Sequence, residues 1–407
     1  MKAAPFKSFA LTLLFALLLI SYGCEGGGAS AEGGGIGGSG ITSQGSVSEF
    51  GSIFVNGTEF DTRNAVVIVE GEEKGVGDAV VLNNLDVGMV VTVYGTRSQD
   101  GKPGVANRVT YNKNVEGPVE SIDDKGTRKD IVVLGQTVIV NFITEFKPSG
   151  FTFNNIAVDD VVEVSGFVDD TGAIRATFIE KTGDFTPGIP FDVEVTGMVQ
   201  NLNTTNTTFD ISGLMVDYTA VVELPSGFAD GMLVEVEGTL DDFANPMIAT
   251  AIVEADELDV EDADEIEVTG FVTDDTFAPG EFTLGNQVVR TDAATIFVDG
   301  TAGNIAPGQK LEAEGRLENG ILFAWEIEFW EPDQIEVEGI VDSGTASDFI
   351  LEIQVGVYQR VQTDGDTVYE EIARGDIVPG VKLEVKGVPV DIDRSILTAD
   401  KVSLELD

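Results

Sequence analysis

Five times along the chain an alternating apolar and polar strand ends in glycine: Val91-Thr92-Val93-Tyr94-Gly95, Val162-Glu163-Val164-Ser165-Gly166, Val234-Glu235-Val236-Glu237-Gly238, Leu311-Glu312-Ala313-Glu314-Gly315 and Leu383-Glu384-Val385-Lys386-Gly387. The closing glycines stand 71, 72, 77 and 72 residues apart. A V-x-G-x-V strand keeps the same period, beginning at Val115, Val195, Val268 and Val337, and a third strand closes each unit from Ala106, Ala176, Ala249, Ala324 and Ala399. A period of this length marks one supersecondary unit repeated along the chain. In the first copy the opening strand reads as Val47-Ser48-Glu49-Phe50-Gly51, with Glu49 where the others carry glycine.

Inside each unit the hydrophobic period is two, broken by Gly, Asn, Asp and Pro, which is a strand pattern. Asn56-Gly57, between Ile53-Phe54-Val55 and Thr58-Glu59-Phe60, reads as a tight hairpin turn. With a hairpin in the middle, each unit holds about five strands, the complement of a small closed Greek-key barrel. The fold expected is all-β: a tandem array of about five OB-like barrels, with a short β-sandwich per unit as the alternative. Gly303 to Gly308 leaves room for a turn before the anchor strand but not for a full helix. The boundaries drawn are 46–114, 115–186, 187–258, 259–332 and 333–407 for repeats one to five.

The first 45 residues have a different composition. Lys2 and Lys7 precede an apolar run, Phe9 to Ile20, too short to span a bilayer but suited to a signal peptide. Ile20-Ser21-Tyr22-Gly23-Cys24 follows and resembles a bacterial lipobox, so residues 1–23 read as a lipoprotein signal peptide and Cys24 as the lipidated N-terminus. Acylation with more than one chain gives stable anchoring. By resemblance to Gram-negative lipoproteins, Glu25 after the cysteine points away from inner-membrane retention and toward the outer membrane. Residues 24–45 read as a glycine-rich flexible tether with an r.m.s. span of roughly 25 Å. Gly35 to Gly40 spells GxGxxG, but no strand precedes it and no helix follows, so it is not read as a dinucleotide site.

Gly34-Gly35-Ile36-Gly37-Gly38-Ser39-Gly40-Ile41, followed by Phe50-Gly51-Ser52-Ile53-Phe54-Val55-Asn56-Gly57-Thr58-Glu59-Phe60-Asp61-Thr62, resembles the opening of bacterial proteins of domain-of-unknown-function family 5666. That resemblance implies tandem small β-domains and a lipoprotein signal, and carries no catalytic residues over.

Composition narrows the chemistry. The chain has no histidine and one cysteine, which removes histidine-dependent triads, histidine zinc sites, CxxC knuckles and intramolecular disulfides. A formal charge of −48 repels nucleic acid and acidic lipid. From Lys181 to Arg290 no Lys or Arg intervenes, and the acids crowd at 254–267. Asp256, Asp259, Asp262 and Asp264 are the metal candidates there, with Ca²⁺ as the one cofactor they would take. No EF-hand loop is present, and a solvated acidic linker is the competing reading. Asp364, Asp366, Glu370 and Glu371 form a weaker cluster. In Leu322 to Trp330, alternation puts Phe323, Trp325, Ile327 and Phe329 on a core face and Glu326, Glu328 and Trp330 on the other. Trp330 is therefore the ligand-binding candidate, a platform on which a sugar ring could stack, with packing at the repeat junction as the plainer role. The basic residues Arg97, Lys102, Arg108, Lys113, Lys125, Arg128 and Lys129 read as a solvated, membrane-facing side of the first two repeats. The sequons at Asn56, Asn203 and Asn206 read as turn chemistry.

The function expected is that of a non-catalytic, acidic, membrane-anchored lipoprotein serving as a repeat scaffold or adhesion protein. The alternative is a calcium- or glycan-binding module. The expected partners are the membrane, through the lipid on Cys24, and a glycan or surface protein, with no nucleic acid.

Overall fold

The computed structural model describes residues 39–404, apart from 51, 98–102, 256–264, 277–279, 355 and 391–394. Cys24, Asp256, Asp259, Asp262 and Asp264 lie outside the described residues. No helix among the described residues is long and apolar enough to cross a membrane.

Repeat two shows how each unit closes. Its opening strand Val115–Asp124 pairs antiparallel with Lys129–Val133, which pairs with Gln136–Val140. That third strand runs parallel to the last, Ile174–Asp184, with Val138 opposite Ile174. The last strand pairs antiparallel with the anchor strand Asp160–Val168, which returns to the opening strand. The circuit is first, second, third, fifth, fourth, first: a closed five-stranded barrel of OB type. Repeats one, four and five follow the same circuit. In repeat three the opening strand is interrupted at Val199, and its two parts, Phe191–Met198 and Gln200–Asn203, lie at the two ends of the path.

The repeated glycine and alanine have one physical cause. At each anchor glycine the last strand bulges: Gly315 faces Ala324 while Glu314 faces Glu326, leaving Trp325 unpaired. Asn107, Thr177, Thr250 and Asp400 are the extra residues in the other four units. A Cβ on Gly95, Gly166, Gly238, Gly315 or Gly387 would lie 2.2–2.3 Å from a carbonyl oxygen of the last strand. The alanine opposite each is buried. The bulge bends the strand and closes the barrel.

The bulge corrects the alternation expected in repeat four. Leu322, Ala324 and Ile327 face the core, with Phe329 packed against it, whereas Trp325 stands in the bulge and is 40% exposed. Phe323 is covered by the Arg290 guanidinium, 5.0 Å from its ring centre.

Repeat one departs from the sequence reading in two ways. Its opening strand is Ser39–Phe50, so residues 39–45, assigned to the flexible tether, are paired along their length with Val90–Arg97. Ile41 opposite Gly95 and Gly45 opposite Val91 correspond to Ile266 opposite Gly315 and Gly270 opposite Leu311. Gly45 is therefore the opening-strand glycine, and Glu49 is not a replacement for it. A Cβ on Gly45 would collide with the Asn56 side chain, 1.9 Å away. The loop before the anchor strand of this repeat also holds a seven-residue helix, Asp78–Asn84, whose Val81 is buried, where the pattern allowed only a turn.

Barrels are joined through their opening strands. Ser39–Phe50 of repeat one runs parallel to Glu265–Asp274 of repeat four, Ile41 to Gln44 opposite Glu265 to Val268. The opening strands of repeats two and three pair antiparallel at Val115–Val195 and Glu116–Glu194. Repeats two and three share one core, and Phe178 of repeat two completes the core of repeat one.

Candidate functional site

In repeat four, strand pairing sets Lys310 opposite Trp330 and Glu312 opposite Glu328, all pointing away from the barrel core. Repeat five covers that outer face. Lys386 Nζ lies 2.5 Å from Glu328 and 3.2 Å from Glu336, and 4.1 Å from the centre of the Trp330 ring. Lys310 Nζ is 5.1 Å from the same ring, a second cation–π contact. Gln334, in the connection, donates to Asp400 at 2.9 Å, and Asn141 of repeat two donates to Asp333 at 2.6 Å.

These contacts leave a cavity of about 450 Å³ where repeats one, two, four and five meet. Ser46 and Asn56 line it from repeat one, Glu145 from repeat two, Glu312 and Trp330 from repeat four, and Glu336 from repeat five. The Trp330 indole N–H is buried and has no acceptor among the described residues.

Burial governs the protonation here. It pushes Glu336 up to about 7 against the pull of Lys386, and Glu267 up to about 7 against Arg97. Glu312 is driven well above the usual carboxyl range by burial, with the nearby Glu267 and Glu328 adding to it. Burial lowers the Lys310 ammonium to about 8. It also works against the charge of Lys386, but Glu336 and Glu328 outweigh it and hold the ammonium above its ordinary value.

Trp330 keeps the outward face read from the sequence, but two lysine ammoniums stand over its ring at the cavity wall, so it is not free on an open strand. The surrounding carboxylates were not legible as a site, because they stand on different repeats and no local motif links them. Glu267, counted with the acidic junction, is 2% exposed and accepts from Ser43 Oγ at 2.9 Å.

A second junction lies between repeats one, two and three. Lys113, its side chain 9% exposed, meets Glu70 at 3.5 Å, Glu116 at 3.1 Å and Glu194 at 3.0 Å. Burial, with Glu70 adding to it, pushes Glu194 up to about 8. Two carboxylate triads have the spacing of metal ligands, Glu70-Glu194-Glu235 and Glu336-Glu338-Glu384. An ammonium already stands against each: Lys113 on Glu70 and Glu194, and Lys386 on Glu336.

The basic stretch is therefore not one solvated face. Arg97 reaches across to Glu265 and Glu314 of repeat four, at 3.2 and 3.0 Å. Lys129 is buried under Phe153, while Lys125 and Arg128 pair locally with Asp130. Lys102 lies outside the described residues. The weaker acidic cluster is turn and junction chemistry: Asp364 accepts from the Asp366 and Thr367 amides, and Glu370 pairs with Lys401 at 3.3 Å. Asn203 accepts from the amides of Thr205 and Asn206, the turn role expected of that sequon.

No curated protein is similar to the chain. Among solved structures, the drosophila Unr CSD456 chain is 15% identical over 52% of this chain and 96% of its own, with a TM-score of 0.13. Residues 116–180, 269–328 and 338–402, in repeats two, four and five, match the family model of DUF5666, a domain of unknown function. The DUF5666 model thus matches three of the five barrels of this chain.

Proposed function

We propose that the chain is a non-catalytic, lipid-anchored interaction scaffold of the bacterial outer membrane, held through Cys24 and presenting its barrels beyond a glycine-rich tether. One structural observation carries the scaffold reading: opening strands of separate repeats pair with one another, Ile41 with Glu265 and Val115 with Val195, so repeats one and four, and two and three, are joined by continuous sheet and are not beads on a string. A body of that kind holds a large surface in fixed geometry for a surface protein or glycan. The high negative charge supports solubility and disfavours acidic partners. Cell fractionation tests the anchor. The wild-type chain is expected with the outer membrane and Cys24→Ser in the soluble fraction; a Cys24→Ser chain that stays membrane-bound overturns it.

A ligand-binding module is the second reading, favoured by the cavity that Trp330 lines.

A further inference from the structure

We propose that the cavity shared by repeats one, two, four and five is a binding site for a small, uncharged, polyhydroxylated ring compound, a mono- or disaccharide, with Trp330 as its aromatic wall. This rests on the ligand-binding reading above and is independent of the lipid anchor. Size is the first support. At about 450 Å³ the cavity falls in the range of small-molecule sites and leaves room for one or two sugar rings.

The walls supply the second. Trp330 supplies the aromatic part of the lining, beside the Lys310 and Lys386 ammoniums that stand over its ring. Asn56, Thr177, Thr269 and Gln334 also line the cavity; each already donates within the protein, to Ser43 and Gln44, Ser165, Asn56 and Asp400, so what they offer a guest is their remaining acceptor capacity.

The third support is the balance of charge. An anionic ligand would meet Glu145, Glu312 and Glu336, and a cationic one would meet Lys310 in the cavity and Lys386 behind Trp330. Lys386 is already engaged by Glu328 and Glu336, so it offers an anionic guest no free ammonium. Burial favours the neutral forms of Glu312, Glu336 and Lys310, which adds to the preference for an uncharged guest. A ligand here would touch four barrels at once, so binding would stabilise the joined body.

The test is calorimetric titration of the full chain with glucose, N-acetylglucosamine, maltose and cellobiose, set beside glucuronate, glucosamine and Ca²⁺. The chain has two tryptophans, so a Trp325→Phe chain reports on Trp330 alone by fluorescence. At least one neutral saccharide is expected to bind saturably and shift that emission. Trp330→Leu, which removes the aromatic wall, should weaken it about tenfold by calorimetry. Val357→Trp fills the cavity from a position 47% exposed and should abolish binding without unfolding the chain. Binding of glucuronate, glucosamine or Ca²⁺ alone, blocked by Val357→Trp, would overturn the ligand class and leave a binding module. Binding unaffected by Val357→Trp, or none by any probe, would overturn the site itself.

Discussion

The α-carbon of Gly315 packs so closely on the Phe323 carbonyl that a Cβ there would sit 2.3 Å from its oxygen. The same approach recurs at every anchor glycine, so each barrel depends on it. Gly315→Ala is expected to destabilise repeat four by about 1–3 kcal/mol, since the backbone has to move to relieve the clash. Gly365→Ala is the control, because a Cβ there meets nothing within 4 Å. Urea unfolding of both variants checks this. Equal losses would contradict the bulge as the cause of the repeated glycine.

Lys113 is the cation at the junction of the first three repeats. Lys113→Met leaves Glu70, Glu116 and Glu194 facing one another without compensation. A loss of up to about 3 kcal/mol is expected, as for breaking a largely buried pair from one side. Adding Glu194→Gln should restore part of it, and a double-mutant cycle measures the coupling. Strict additivity would show that the contact contributes nothing to docking.

The buried carboxyls predict an unusual pH profile. Glu267 and Glu336 are raised from 4.5 to about 7 by burial, against the opposing charges of Arg97 and Lys386. Between pH 4.5 and 7 the folded chain keeps protons on these groups that the unfolded chain has released. Stability therefore falls as pH rises through that window and stays lowered above it, by up to about 3 kcal/mol per carboxyl. Lys310 acts in the opposite direction at higher pH. Lowered from 10.5 to about 8 by burial, it has lost its proton in the folded chain while the unfolded chain still holds one, so stability recovers between those values. Urea midpoints from pH 5 to 10 should pass through a minimum near neutrality, and Glu336→Gln should make the descent shallower. A midpoint that rises steadily from pH 5 to 7 would contradict this.

The barrels were legible because period-two alternation, hairpin turns and a repeat length are local or self-similar signals. The DUF5666 resemblance was read from the opening of repeat one, Gly34 to Thr62, and the family model matches in repeats two, four and five. The start of the first barrel was not, because Ser39 to Gly45 has the composition of a tether and becomes a strand only by pairing with Val90–Arg97 and Glu265–Asp274. The exposure of Trp325 was hidden by a one-residue bulge, which reverses the alternation beyond it. Trp330 stood out as an aromatic on a charged face. Its neighbours Lys386, Glu336 and Asn56 come from other repeats, and nothing in local spacing brings them together.

The central structural claim is that repeats one, two, four and five close around one cavity. Asn141 and Asp333, 192 positions apart in the chain, touch at 2.6 Å, close in sequence to the lining residues Ile143 and Gln334. In a Cys24→Ser background, where no other thiol remains, Asn141→Cys with Asp333→Cys should be joined within one chain by a short bis-maleimide, which spans the reach of the two lost side chains, seen as a faster band on a denaturing gel. Two thiols that stay free in a chain that unfolds like wild type would contradict the closed arrangement.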